Sequence, residues 1–203
     1  MTLPATPIEF WFDFSSPYGY LAAQRIDDVA AANGSTVAWR PFLLGALFKL
    51  TGSSPLLDQP LKGDYARHDM ARSARRTGVP FRLPDPFPFS GVAASRAFYW
   101  LDGSDPSAAV AFAKRAYAAI FGAGRDLSKP PAVVDVLADC GHDRAAAEAG
   151  IADPAVKERL RAAVDSAIER KIFGSPYFLV GDDPFWGVDR LPDLAAWIEQ
   201  GGW

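Results

Sequence analysis

Cysteine is almost missing from this chain, with Cys140 alone in 203 residues. No intrachain disulfide can form, so a mechanism that cycles two thiols of the chain is excluded. Cys140 closes an apolar stretch just before Gly141 and is expected as buried packing at a helix end. Histidine is scarce too. His68 and His142 have no partner at ligand spacing, so no metal site is expected. Charge of one sign is also lacking: 21 basic residues stand against 24 acidic ones, for a net −3. That leaves no basic field and argues against a nucleic-acid partner. No apolar run approaches the roughly 20 residues that span a bilayer, and residues 1–7 lack the basic-then-apolar pattern of a signal peptide. A soluble cytoplasmic protein without membrane contact is expected. What is abundant is apolar, 49% of the chain, enough for a packed domain with a large insertion.

Ile8 to Phe14 is short and rich in aromatic residues and reads as a strand. Ser16 then offers a helix cap and Pro17 a first helical residue. Leu21, Ile26 and Val29 continue that helix to Asn33-Gly34. Thr36 to Arg40 is a second strand, closed by Pro41. Gly, Ser and Pro clusters from Gly45 to Gly63 read as loop. Asp64 to Thr77 is helical, and the prolines between Val79 and Phe89 forbid regular structure. Helices are predicted over Val92–Leu101, Pro106–Phe121 and Pro131–Cys140. A longer one follows Asp153-Pro154, with an apolar stripe of Val156, Leu160, Val164, Ile168 and Ile172. The period then changes. Tyr177–Val180 and Pro184–Trp186 form a hairpin around Gly181-Asp182-Asp183, and Asp189–Gln200 is a last helix. The order is βαβ, an all-helical block, then ββα.

Two halves of that kind around one sheet make the α/β thioredoxin-like fold, here with an all-helical insertion. The division is 6–45 with 172–203 for the thioredoxin-like part and 46–171 for the insertion. The match extends to motifs. Phe12-Asp13-Phe14-Ser15-Ser16-Pro17-Tyr18, Lys49, the run from Ile168 to Pro176, and Phe185-Trp186-Gly187-Val188-Asp189-Arg190 resemble the 2-hydroxychromene-2-carboxylate isomerases. These are glutathione-dependent enzymes of aromatic degradation, related to disulfide oxidoreductases and kappa-class glutathione transferases. The resemblance implies glutathione as cofactor, a small aromatic carboxylate as substrate, and a cytoplasmic homodimer. It implies ring opening to a trans-benzylidene pyruvate through a glutathione thiolate adduct. A kappa-like transferase or peroxidase is the alternative; a non-catalytic glutathione- or partner-binding module is the second.

The same resemblance places Ser16 where thiol enzymes carry their attacking cysteine. Its hydroxyl can donate to a thiolate brought in by glutathione, a charge-assisted bond worth about 1.5–3 kcal/mol. Ser16 can also be no more than a helix cap. Pro176 is the expected cis residue before the third strand, with the Ser175 backbone offered to the cysteinyl unit of glutathione. Val188, Asp189 and Arg190 are implied glutathione contacts, although Asp189 can equally be an N-cap and Arg190 a solvated charge. Lys49 aligns with a lysine that meets the substrate carboxylate. Asp58 stands where relatives have asparagine, which replaces a donor by an anion. Phe87 stands where the family has a tyrosine near the substrate. Phe89, Tyr99 and Trp100 belong either to that pocket or to the core.

Overall fold

The computed structural model describes residues 6–203; residues 1–5, most of the segment in which no leader pattern was read, lie outside the described residues. The first unit is β1 (Ile8–Phe12), α1 (Pro17–Ala23), α2 (Ile26–Ala32) and β2 (Val37–Pro41). The helix expected as one piece is therefore two. Gln24 caps the first, Arg25 returns its N–H to Ala22, and α2 restarts with Asp27 and Asp28 in its first turn. Asp27 then accepts the Trp39 indole N–H at 3.2 Å, tying the second piece to β2.

The stretch expected as loop after Gly45 is also corrected. It holds α3 (Leu44–Thr51) and a 3-10 turn (Leu56–Asp58) before α4 (Lys62–Thr77). No local residue caps α3. Its first turn is served instead by the buried Asp13 carboxylate, 31 residues earlier, which accepts the Leu44 N–H at 2.7 Å. Gly52, at φ +66°, ends it.

The helical block continues with α5 (Val92–Asp102), α6 (Pro106–Tyr117, prolonged by a π turn to Gly122), α7 (Pro130–Asp139), α8 (Arg144–Ala152) and α9 (Pro154–Glu169). Asp105, Asp143 and Asp153 cap α6, α8 and α9 by accepting backbone N–H groups. In α9, Val156, Leu160 and Val164 are buried, but Ile168 is 37% exposed. The stripe fails at its end because the helix stops at Glu169 and Lys171 takes φ +59°. Ile172 turns into a different apolar cluster. Cys140 caps α7 half-buried rather than buried, and burial pushes its thiol up. His68 and His142 join no metal-binding group among the described residues.

The chain returns as β3 (Tyr177–Val180), β4 (Asp183–Trp186), a 3-10 turn (Val188–Arg190) and α10 (Leu191–Gln200). The sheet runs β2-β1-β3-β4, with β1 parallel to β2 and antiparallel to β3. Alternation along β1 sends Ile8, Phe10 and Phe12 into the larger core, where they meet Trp39, Phe98, Tyr117 and Phe178. Trp11 points the other way and packs with Phe42, Leu47, Tyr177 and Ile172. Both faces of the sheet are thus covered, and α3 is fixed over the end of β1. Among the described residues, no helix is long and apolar enough to cross a membrane.

Candidate functional site

A cavity of about 1710 Å³ opens between the end of β1, the start of α1, the turn before β3, the 188–190 turn and the helices α3 and α4. Ser16, Lys49, Phe87, Ser175, Pro176, Val188, Asp189 and Arg190 all line it. Asp58 does not. It is exposed at the end of its 3-10 turn, while its neighbours Leu57 and Gln59 face the cavity. Asp58 is therefore the one expected site residue that the structure does not bring to the cavity. Phe89 shares the wall with Phe87; Tyr99 and Trp100 lie elsewhere, Tyr99 donating from the core to the Pro41 carbonyl at 2.8 Å.

Ser16 caps α1 as its sequence position predicts. Its oxygen accepts the Gly19 N–H at 3.0 Å, and its hydroxyl donates to the Ser175 carbonyl at 2.8 Å. Because α1 has only seven residues, the helix field is modest, and the hydroxyl is the main polar group at this point. The Ser175-Pro176 bond is cis, as expected. Ser175 Oγ accepts the Asp13 N–H at 2.9 Å, whereas the Ser175 N–H makes no hydrogen bond within the described residues. An open N–H beside a carbonyl on a cavity wall is what an added extended strand requires.

Asp13 was read only as part of the strand motif, yet it organises the site. It is 3% exposed, and its carboxylate accepts the Ser15 N–H at 2.8 Å and hydroxyl at 2.9 Å as well as the Leu44 N–H at 2.7 Å. Burial pushes this carboxyl up, against the pull of those donors. Its own carbonyl accepts the Tyr117 hydroxyl at 2.8 Å. That hydroxyl stands 2.6 Å from where a Cβ on Gly19 would lie, with Ser175 Oγ at 3.1 Å from the same point. By resemblance to the thioredoxin-type Cys-Pro-x-Cys motif, Ser16-Pro17-Tyr18-Gly19 puts Gly19 at the second-cysteine position, and a side chain there would collide with the Tyr117 hydroxyl.

At the other end, Gly187 takes φ +108°, and a Cβ there would meet Asp189 Oδ1 at 2.5 Å. Asp189 makes no capping bond. Its carboxylate is exposed toward the cavity and pairs with Arg190 at 3.2 Å, while Arg190 also binds Asp193 at 2.7 Å. A third group escaped the sequence. Tyr18 donates to Asp69 at 2.7 Å, and Asp69 pairs with Arg72, all along the cavity. Burial works to raise the Asp69 carboxyl, but the bonds from Tyr18 and Arg72 hold it low; burial and the adjacent anion push the Tyr18 phenol far up. The only available signal was the one-face spacing of Tyr65, Asp69, Arg72 and Arg76 on α4.

Fold and site define a DSBA-like thioredoxin domain, and residues 7–199 match the model of that family. The 2-hydroxychromene-2-carboxylate isomerase of Pseudomonas putida is 34% identical over 188 residues, 91% of this chain and 90% of its own length. A solved structure of a 2-hydroxychromene-2-carboxylate isomerase superposes with a TM-score of 0.86 at 30% identity, over 95% of this chain and 94% of that one. The chain belongs to this isomerase family within the DSBA-like group. Glutathione S-transferase kappa 2 of Caenorhabditis elegans is a more distant relative, 26% identical over 95% of this chain and 92% of its own length.

Proposed function

We propose that this protein isomerises 2-hydroxychromene-2-carboxylate-like aromatic oxo-acids with glutathione as its thiol cofactor. The observation that carries this is the pairing of Ser16 with Ser175 at the cavity wall. One residue offers a lone hydroxyl, the other an unpartnered N–H and a carbonyl at hydrogen-bond distance from it. No protein thiol competes, since Cys140 lies outside the cavity. Glutathione supplies a soft nucleophile that this chain lacks. Ser16 favours the ionised sulfur by donating to it; Ser175 aligns the cysteinyl backbone; Asp189 balances the γ-glutamyl ammonium and Arg190 its carboxylate. Lys49 orients the substrate carboxylate, and Phe87 with Phe89 keeps water off the ring. On the same family relationship we place the protein in the cytoplasm as a homodimer; light scattering on the purified chain reads the oligomeric state, and fractionation of cells the location.

Ser16→Ala tests the central role. The variant folds, at a cap cost of about 0.5–2 kcal/mol. The pKa of bound glutathione thiol, followed by ultraviolet thiolate absorbance, rises by roughly one to two units relative to wild type. An unchanged thiol pKa removes Ser16 from the chemistry.

A further inference from the structure

The helical wall carries more positive charge than one substrate carboxylate requires. On α3 and α4, Lys49, Lys62, Arg72 and Arg76 line the cavity against a single carboxylate, Asp69. Asp69 is already taken by the Tyr18 hydroxyl at 2.7 Å and by Arg72. That leaves an excess of three positive charges on one wall of a chain whose net charge is −3. The cations are also spread in a definite way. Lys62, Asp69 and Arg76 are seven residues apart, so they share one face of α4, with Lys62 and Arg76 each about 10 Å from Asp69 along the axis. Tyr18, two residues past Ser16, binds Asp69 and so ties the start of α1 to the middle of that face. At the Lys62 end, α4 packs on the 3-10 turn that follows α3 and Lys49; a Cβ on Gly63 would stand 2.5 Å from the Leu57 carbonyl oxygen. At the Arg76 end, α4 stops at Gly78 and the chain runs into the proline-rich segment that brings Phe87 and Phe89 to the wall. The volume of about 1710 Å³ exceeds the roughly 300–1,000 Å³ of a pocket for one small ligand.

We propose that Arg76 is a second anion subsite, and that the preferred substrates are aromatic acids with a second acidic group on the ring edge away from the first carboxylate. This rests on the isomerase reading of the cavity and narrows its substrate class. Lys49 takes the first carboxylate and the ring lies along Phe87 and Phe89. The Arg76 guanidinium, which has no carboxylate partner among the described residues, meets the carboxylate or sulfonate at the far edge.

Binding to the glutathione-saturated protein tests the subsite, since any cation that the cofactor uses is then already occupied. Calorimetry compares naphthalene-2-carboxylate with naphthalene-2,6-dicarboxylate, one and two anionic groups on the same ring. The dicarboxylate is expected to bind about three- to fivefold more tightly. Arg76→Gln should abolish that preference and Arg76→Lys should keep part of it. Arg75→Gln should leave it whole, because Arg75 is a neighbouring cation of α4 that does not line the cavity. Equal binding of the two acids by wild type, or none by either, overturns the proposal. So does a preference that survives Arg76→Gln, or one that falls as far with Arg75→Gln. Failure of the isomerase reading shows separately, as no turnover of the chromene carboxylate by wild type with glutathione, and the binding comparison then still decides the role of Arg76.

Discussion

The two walls of the cavity are built differently. On the thioredoxin side, polar groups are held by long-range bonds: Ser16 to Ser175, Asp13 to Ser175 and Tyr117 to Asp13 join residues 159, 162 and 104 positions apart. On the helical side, Lys49, Lys62 and Arg76 line the cavity with no carboxylate partner among the described residues. Leu50 and Leu61 are left 66% and 94% exposed nearby. The first wall is preorganised for one ligand and loses little entropy on binding it. On the second, Asp69 is held by Tyr18 and Arg72, while Lys49, Lys62 and Arg76 are left to meet an anionic ligand. Asp13 is the joint, with Oδ1 on Ser15 and Oδ2 on α3.

The largest effect is expected from breaking that joint. Asp13→Ala strands the Ser15 and Leu44 N–H groups and should cost about 2–5 kcal/mol in urea unfolding, loosening α3 and Lys49 with it. Asp13 also sets a pH slope. Its carboxyl is raised in the folded state, so the folded chain holds the extra proton between the ordinary and the raised value. Stability contributed by this group falls as pH rises through that window. Asp13→Asn has no such proton, and the slope should vanish in unfolding curves across acid pH.

Overfilling the first wall comes next. Gly19→Ala drives a Cβ against the Tyr117 hydroxyl and should cost about 1–3 kcal/mol. Tyr117→Phe removes the obstructing oxygen, so the double variant should lose less stability than the two single changes added together. Strict additivity would place the Gly19 Cβ elsewhere.

The second wall should respond more weakly. Lys49 is exposed, so Lys49→Ala should raise KM for the chromene carboxylate by up to about fivefold and leave kcat unchanged. Asp58→Asn should alter neither constant, since Asp58 lies outside the cavity; a gain in turnover would redraw that wall.

The smallest effect on stability lies away from the cavity. Burial raises Glu9, but bonds from Arg170 at 2.7 and 2.6 Å and from Trp11 at 2.8 Å hold its carboxyl below the ordinary value. Its contribution is present above the ordinary value and is lost as pH falls through the lowered one. Arg170→Ala should cost a few tenths of a kcal/mol near neutrality and flatten the acid limb of Tm against pH.

Much of this was legible along the chain. Strands with aromatic alternation, Ser16-Pro17 at a helix start, and the hairpin around Gly181 each carry local signals that the structure keeps. The features that escaped lacked such signals. Nothing between Ala22 and Ile26 is a helix breaker; the second piece is instead tied to β2 by the bond from Trp39 to Asp27, a contact no local signal announces. Alpha-helix 8, over Arg144–Ala152, is short and alanine-rich, and its apolar pattern is carried mainly by Ala147 and Ile151. Asp58 was placed by alignment to a motif, and alignment does not say on which side of a 3-10 turn a side chain falls.

By itself the sequence determined the order of the three blocks, βαβ, helical and ββα, the lack of a second thiol and the residue types at the cavity wall, because propensity, capping and periodicity act over a few neighbouring positions. Only the tertiary structure decided that Leu44–Thr51 is a helix at all, since its cap is the Asp13 carboxylate from the end of β1. Only it decided that the place of a second cysteine is filled by the Tyr117 and Ser175 hydroxyls, and that the Ser16 hydroxyl donates to the Ser175 carbonyl. Each of these is a bond or a steric contact between groups far apart in the chain, and its geometry exists only once the sheet and the helical block have packed.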